Sequence, residues 1–146
     1  MKKTILLSIC LLSCLLSTAC GSTYTLKDGY YKAETSEYDH GWKEFVSVCI
    51  MEGRIVSVEY NAKNTAGFIK SWDIAYMRNM NPIAGTYPNY YTRNYGSQLM
   101  EKQSAGQIDA ISGASSSAGK FKKLADAVLK QAEKGDTKIA VVEVGE

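Results

Sequence analysis

Two β-rich runs in the first half of the chain are joined by only two residues, and this pairing indicates the fold class. Residues 44–51 and 54–61 are separated by Glu52-Gly53, which is a hairpin signal. Residues 30–34 predict an earlier strand and residues 138–144 predict a last one, while the chain between residues 71 and 135 shows helical patterns. Strands, then helices, then one strand indicate an α+β domain. We expect a small antiparallel sheet with helices packed on it.

Three helices are predicted between the hairpin and the last strand. Ser71 or Asp73 would cap the first, which runs to about Asn79 and is broken by the proline-bounded stretch 82–88. The second covers residues 89–103. Its inner face is predicted to hold four residues: Tyr91, Tyr95, Leu99 and Met100.

The last helix has the clearest pattern. From Ser117 onward, apolar residues recur at spacings of three and four, and Gly135 is typical of a helix C-terminus. The lysines of this segment are expected on the outer face: Lys120, Lys122, Lys123, Lys130 and Lys134. One of the three serines at its start, Ser115 to Ser117, would serve as the N-cap.

The N-terminus resembles a bacterial lipoprotein signal. Lys2 and Lys3 precede an uncharged, mostly apolar run over residues 5–16, which is too short to span a bilayer. The run ends in Leu16-Ser17-Thr18-Ala19-Cys20-Gly21, a lipobox-like sequence. We therefore expect a signal peptide over residues 1–19, lipidation of Cys20 with a short tether over residues 20–27, and one domain over residues 28–146.

Composition excludes several classes of function. Without Lys2 and Lys3 the basic residues equal the acidic ones in number, which gives no electrostatic case for a nucleic-acid partner. Cys49 is the one cysteine after Cys20, so the domain has no intramolecular disulfide and is expected to bury Cys49 as a small hydrophobe. One cysteine and one histidine, His40, cannot form a metal cluster. His40 itself, beside Gly41, is expected in an exposed turn.

Small residues and hydroxyl groups are concentrated at the start of the last helix. Residues 109–117 read Asp-Ala-Ile-Ser-Gly-Ala-Ser-Ser-Ser, which supplies more oxygen atoms than a helix cap needs. A helix N-terminus has free backbone N–H groups and the positive end of the helix dipole. A phosphate group would suit this position.

Three other motifs fit the same residues poorly. A phosphate-binding P-loop needs four residues between its glycines, whereas five separate Gly113 from Gly119, and Phe121 stands where a magnesium ligand is required. Ser117 and Lys120 match a Ser-x-x-Lys pattern, but the companion signatures of that class are absent. A catalytic triad would have to use His40, and the chain has no Gly-x-Ser-x-Gly motif.

The stretch resembles the flavinylation motif of the FMN-binding domain family, Asp-x-x-Ser/Thr-Gly-Ala-Thr/Ser. The matching positions are Asp109, Ser112, Gly113, Ala114 and Ser115. That family includes the C subunit of sodium-translocating NADH:quinone reductase, the G subunit of Rnf complexes and small lipoproteins of extracellular electron transfer. The resemblance implies FMN held by a phosphoester to Ser115, added by a flavin transferase that takes FMN from FAD with magnesium and recognises Asp109. Backbone groups around Gly113 to Ser117, including Ser116, would bind the phosphate, and Gly113 and Ala114 would leave room for the transferase.

The likeness extends over most of the remaining chain. It covers residues 29–34, 40–43, 53–56, 59–60, 67–73 and 76–77, and it is especially close to the membrane-anchored immunogen and pheromone-precursor lipoproteins of the family. The resemblance implies an extracytoplasmic electron carrier, lipid-anchored to the cell membrane and without substrate turnover of its own. It would connect a membrane donor, a quinone or NADH dehydrogenase, with an external acceptor. Trp42 and Lys70 are candidate flavin contacts. The alternatives are a non-redox surface lipoprotein that binds a small ligand or a protein, and a serine hydrolase acting through Ser115 or Ser117.

Overall fold

The computed structural model describes residues 25–143. The predicted signal peptide and Cys20 lie outside these residues. The described chain forms, in order, β1 (Gly29–Thr35), β2 (Lys43–Met51), β3 (Arg54–Lys63), α1 (Ile74–Ala84), α2 (Pro88–Lys102), α3 (Ser115–Lys134) and β4 (Ala140–Val142). Short 3-10 helices at Lys70–Trp72 and Ala105–Gln107 precede α1 and the Ser115 segment.

The described strands form a single mixed sheet in the order β3-β2-β1-β4. The predicted hairpin is confirmed, since β2 pairs antiparallel with both β3 and β1. The expectation of an antiparallel sheet is wrong at one edge, where β4 pairs parallel to β1. The α3 helix ends beside Lys27, just before β1 begins, because the Lys27 N–H donates to the Ala132 carbonyl at 3.0 Å. Both strands therefore start at the same end of the sheet and run in the same direction. The α+β class itself is confirmed.

The core lies between one face of the sheet and the helices α2 and α3. Val46, Val48 and Ile50 alternate along β2 and are buried, as the period of a strand with one covered face requires. The helices oppose them with side chains that are less than 2 % exposed: Tyr95, Leu99, Phe121, Leu124 and Val128. Each fully buried aliphatic or Phe side chain contributes about 1.5 to 3 kcal/mol, so this layer is the main source of stability.

Local predictions about the helix ends are partly confirmed. The Asp73 side chain accepts the Tyr76 N–H at 2.9 Å and is the N-cap of α1. The helix does not stop near Asn79 as predicted, because it continues through Pro82 to Ala84. Proline removes one hydrogen bond to the preceding turn, and α1 tolerates this because none of its residues is buried, so water can satisfy the freed carbonyl.

The second and third helices follow the predicted pattern closely. α2 starts one residue earlier than predicted, with Pro88 in its first turn. Tyr91, Tyr95 and Leu99 are buried, and Met100 packs against the core from its margin. α3 ends before Gly135, whose φ of 72° is the left-handed conformation expected at a helix C-terminus. Cys49 is buried as predicted.

Candidate functional site

The 109–117 segment makes a tight turn before α3. The Ala114 N–H donates to the Ile111 carbonyl at 2.9 Å, and Gly113 has a φ of 78°. A Cβ on Gly113 would stand 2.0 Å from the Ala84 carbonyl oxygen at the end of α1. Glycine is therefore required at this position by both backbone conformation and close packing. Ala114 is only 2 % exposed, so its small side chain packs inside the fold. That it also leaves room for a transferase at Ser115 stays a prediction.

Tyr95 holds both sides of this turn. Its hydroxyl accepts the Ile111 N–H at 3.0 Å and donates to the Ala114 carbonyl at 3.0 Å. Burial raises the pKa of Tyr95, so the phenol stays protonated and keeps both roles. Its place on the inner face of α2 was predicted from the helical period. The polar role of its hydroxyl was missed, since no local pattern links residues 95 and 114.

The backbone of Asp109 is hydrogen-bonded to α2, and its side chain is exposed to solvent. Its N–H donates to Gln98 Oε1 at 2.7 Å, and Gln98 Nε2 donates to its carbonyl at 3.2 Å. Lys102 Nζ lies 2.5 Å from the Asp109 carboxylate, and this hydrogen bond lowers the pKa of the Asp109 carboxyl. The carboxylate is therefore ionised at neutral pH while its side chain remains 84 % exposed. A modifying enzyme can reach it.

The start of α3 has no side-chain cap. Ala114 occupies the N-cap position, so the hypothesis that Ser115, Ser116 or Ser117 caps the helix is wrong. The first hydrogen bond of the helix runs from Ala118 N–H to the Ala114 carbonyl at 3.0 Å, which leaves the backbone N–H groups of residues 115–117 without a helical acceptor. Ser112, Ser115 and Ser116 are exposed. Within residues 25–143 the Ser115 hydroxyl forms no hydrogen bond, so the end of α3 presents a free hydroxyl beside anion-binding backbone groups.

Ser117 is different from its two neighbours because it faces the sheet. The Tyr60 hydroxyl lies 3.2 Å from the Ser117 carbonyl and donates to the Glu44 carboxylate. Burial, together with the charge of Glu44, raises the pKa of Tyr60 well above its ordinary value, and burial raises the pKa of Tyr91. Both phenols therefore remain neutral, and Tyr60 holds the first turn of α3 against β2 and β3.

Lys120 extends this network and corrects one prediction. It was expected on the solvated outer face of α3, but it forms an ion pair with Asp39 and lies 3.5 Å from the Glu44 carboxylate. Burial alone would lower the pKa of Lys120, but the two carboxylates outweigh burial and raise it. The hydrogen bond from Lys120 in turn lowers the pKa of Asp39. The ion pair links α3 to the turn that precedes β2.

The structure brings the two candidate flavin contacts together. Lys70 Nζ lies 5.6 Å from the centre of the Trp42 ring and 4.6 Å from the centre of the Tyr76 ring. Trp42 and Tyr76 meet edge to face with 6.3 Å between their centres. Lys70 also lines a small cavity with Glu44, Tyr60 and Tyr91, and Tyr60 in turn contacts the first turn of α3. Lys70 is thus packed over two aromatic rings.

Connections between this aromatic group and α3 run through the turn before β2. Asp39 and Trp42 exchange backbone hydrogen bonds of 2.8 and 2.9 Å, and Asp39 pairs with Lys120. His40, between them, has a φ of 49° and is exposed, as predicted. Tyr76 is the member of the group that sequence analysis missed. The predicted Asp73 cap places Tyr76 in the first turn of α1, and this position could have indicated that Tyr76 belongs to the group.

A metal-binding cluster and a membrane-spanning helix are both absent from the described residues. No group of three His, Cys, Asp or Glu side chains within residues 25–143 is arranged to hold a metal ion. Among the described helices, none has the length and apolar character needed to cross a membrane.

Relatives of the chain were found by sequence and by structure. No protein-family model matches it. The 15 kDa lipoprotein of Treponema pallidum (strain Nichols) is 32% identical over 113 residues, which cover 77% of this chain and 80% of that protein. The crystal structure of the CPE2226 protein from Clostridium perfringens has 40% identity and a TM-score of 0.79, covering 82% of this chain and 99% of that one.

A solution structure from Clostridium thermocellum is also similar. It has 30% identity and a TM-score of 0.50, and the match covers 74% of this chain and 93% of that one. Identity and coverage at these levels indicate common descent. The chain belongs to the family of the 15 kDa lipoprotein of Treponema pallidum.

Proposed function

We propose that this protein is an extracytoplasmic, lipid-anchored flavoprotein that carries electrons through FMN bound covalently to Ser115. One observation carries the proposal: the Ser115 hydroxyl is exposed and without a hydrogen-bond partner in the described chain, at a helix start that has no side-chain cap. The turn behind it needs a glycine at position 113 because the Ala84 carbonyl lies there. A capping role would have used the hydroxyl, whereas covalent modification requires it to be free.

The local charge suits a phosphodiester. Three backbone N–H groups at residues 115–117 have no acceptor within α3, and the helix dipole adds positive potential at the same place. A singly charged phosphodiester there would gain roughly 0.3 to 2 kcal/mol. The covalent bond matters more, because outside the cell a dissociable cofactor is lost by dilution.

The resemblance to flavinylated proteins suggests how the bond forms. The Ser115 oxygen would attack the FMN phosphorus of FAD, the bond between the two phosphates would break, and AMP would leave while the serine proton goes to solvent. Ser117 is a poorer acceptor because it is half-buried and its carbonyl accepts the Tyr60 hydroxyl, which holds it near the sheet. Ser116 is exposed like Ser115, so the motif register is what favours Ser115. Asp109 and Ser112 would serve recognition by the transferase.

When bound, FMN would supply transfer of one or two electrons, and the protein would supply position and charge. Trp42 and Tyr76 offer an apolar aromatic surface for a flat ring, and the Lys70 ammonium beside them would stabilise negative charge on a reduced ring. Trp42 is connected to α3 by its backbone hydrogen bonds to Asp39 and by the ion pair between Asp39 and Lys120. The protein would thereby connect a membrane donor with an external acceptor.

Intact-mass measurement tests the proposal. The full chain is produced with an active flavin transferase, and we expect a gain of about 438 Da, which is FMN less water. Ser115→Ala should abolish the gain, while Ser116→Ala, the adjacent exposed serine, should keep it. An unmodified wild-type chain made beside a transferase that modifies a known substrate would refute the proposal.

A second candidate function rests on a groove of about 760 Å³ beside α2 and β3. Its walls include Phe45, Trp72, Arg93 and Met100, and its volume is in the range of small-ligand sites. A non-redox lipoprotein that binds a small ligand would use this groove and leave Ser115 unmodified. A colourless protein made beside an active transferase would favour this candidate.

A further inference from the structure

The chain joins the domain at the end of α3 that is opposite to Ser115. The Lys27 N–H donates to the Ala132 carbonyl at 3.0 Å, and Lys27 Nζ donates to the Lys134 carbonyl at 3.0 Å. The Thr25 methyl group stands 3.3 Å from where a Cβ on Gly53 would lie, in the turn between β2 and β3. Leu26 packs against the core. Residues 25–27, predicted as part of the tether, are therefore part of the domain.

Two independent lengths separate the two ends. α3 has 20 residues, which at about 1.5 Å each gives roughly 30 Å from Ser115 to Lys134. β2 has 9 residues, which at about 3.4 Å each gives a similar length. β2 begins beside the Ser115 end, where Glu44 is linked through Tyr60 to Ser117, and it ends at the hairpin turn beside Thr25. The lengths of α3 and β2 therefore give the same separation, roughly 30 Å, between the Ser115 end of the domain and the end beside Thr25.

The chain between the predicted lipidated Cys20 and Thr25 is shorter than this distance. Between the predicted lipidated Cys20 and Thr25 there are few residues, and residues 20–24 can span at most about 18 Å when fully extended. With lipid chains in the bilayer, the C-terminal end of α3 is held near the membrane. A domain that stands on this tether presents Ser115 away from the lipid.

We propose that Ser115 occupies the membrane-distal end of the domain, where its flavin exchanges electrons with the redox centre of a water-exposed protein domain. This inference rests on the proposed function. The partner's reduced centre gives up the electrons that the flavin accepts, and water supplies the accompanying protons. A quinone dissolved in the bilayer is too far away to be the direct donor, because electron transfer slows steeply with distance.

The surface around Ser115 suits a protein partner. Ile83 is 89 % exposed and precedes Ala84, whose carbonyl contacts the Gly113 turn. Ile74, at the start of α1, is also exposed, whereas Met80 packs against the core. Exposed apolar residues mark sites that contact another protein or a membrane, and distance from the lipid favours a protein here.

Fluorescence quenching on vesicles tests the orientation without any flavin. The full lipidated chain carries one probe, at Ile83→Cys near the motif or at Lys134→Cys near the tether, in phosphatidylcholine vesicles with nitroxide-labelled headgroups. We expect strong quenching at position 134 and several-fold weaker quenching at position 83. Inserting a long Gly/Ser segment after Gly21 should reduce this difference. Equal quenching at both positions with the natural tether, as in a domain lying on Trp72 and Ile74, would overturn the orientation.

Reduction kinetics on the flavin-loaded chain test the partner class. A soluble reduced ferredoxin should reduce the flavin at the same rate with the natural and the lengthened tether. A quinol in the bilayer should reduce it several-fold more slowly with the natural tether and faster with the lengthened one. Rapid reduction by the quinol that does not depend on tether length would refute the partner class. Absence of flavin on Ser115 would instead refute the proposed function, and the quenching result would stand apart from it.

Discussion

The carbonyl oxygen of Ala84 lies 2.0 Å from the position that a Cβ on Gly113 would occupy. The last residue of α1 thus rests on the turn that leads into α3, although 28 residues of chain separate the two residues and include all of α2. Because nothing larger than hydrogen fits at position 113, the contact couples the end of α1 to the Ser115 segment. It also explains why a small residue is needed there whether or not a flavin is bound.

Gly113→Ala should lower the free energy of unfolding by at least about 2 kcal/mol. Alanine is disfavoured at a positive φ, and its Cβ would overlap a backbone atom. Gly119→Ala, within the first turns of α3, is the control. A Cβ there meets nothing within 4 Å, so we expect stabilisation by about 0.5 to 1 kcal/mol. Urea denaturation of the two variants measures both effects. Equal stability of Gly113→Ala and the wild type would contradict the close contact.

Tyr60→Phe should destabilise the protein by about 1 to 3 kcal/mol, because it leaves the buried Glu44 carboxylate without its phenol donor. Tyr30→Phe, at a tyrosine that is 79 % exposed, should change stability by much less. Thermal unfolding of the two variants at one pH provides the comparison. A Tyr60→Phe variant as stable as the Tyr30→Phe variant would show that the Glu44 contact carries no net stability.

Glu34 should make the stability of the folded protein depend on pH in the acidic range. Burial alone would raise the pKa of Glu34, but hydrogen bonds from Lys43 and Lys63 outweigh it and lower the pKa from 4.5 to about 2. A lowered pKa stabilises the folded state above pH 4.5, and this contribution disappears as the pH falls towards 2. Allowing for screening by solvent, we expect about 1 to 2 kcal/mol.

The measurement is the free energy of unfolding between pH 6 and pH 2. Glu34→Gln should be less stable than the wild type at pH 6, and the difference should close as the pH falls. Glu37→Gln, at an exposed carboxylate just after β1, should leave the pH profile unchanged. A difference between Glu34→Gln and wild type that stayed constant with pH would exclude titration of Glu34 as the cause.

Replacing Thr86 or Thr92 by valine should change the stability of the protein in opposite directions. Thr86 is 1% exposed, and its hydroxyl has no hydrogen-bond partner among the described residues, so Thr86→Val should stabilise the protein by about 1 kcal/mol. Thr92 donates to the Pro88 carbonyl at 2.8 Å, so Thr92→Val should destabilise it by a similar amount, about 1 kcal/mol. Denaturant unfolding of both variants decides. Loss of stability in Thr86→Val would reveal a partner for its hydroxyl.

Features with a local cause were predictable. The hairpin at Glu52-Gly53, the end of α3 at Gly135 and the Asp73 cap follow from the conformations that turns and helix ends require. Burial of Tyr95 and Leu99 follows from the helical period. The end of α1 was mispredicted because the helix continues through Pro82. The carbonyl of Arg78, which loses its helical donor, belongs to an exposed residue that water can reach.

The amino-acid sequence by itself determined the order of the strands and helices, their inner faces and the hydroxyl-rich segment at 109–117, because each depends on neighbours within a few residues. Only the tertiary structure decided that β4 runs parallel to β1 and that Lys120 turns inward to Asp39. It also decided that Lys27 lies at the end of α3 opposite to Ser115. These relationships join residues far apart in the chain, and long-range packing of the helices against the sheet brings them together.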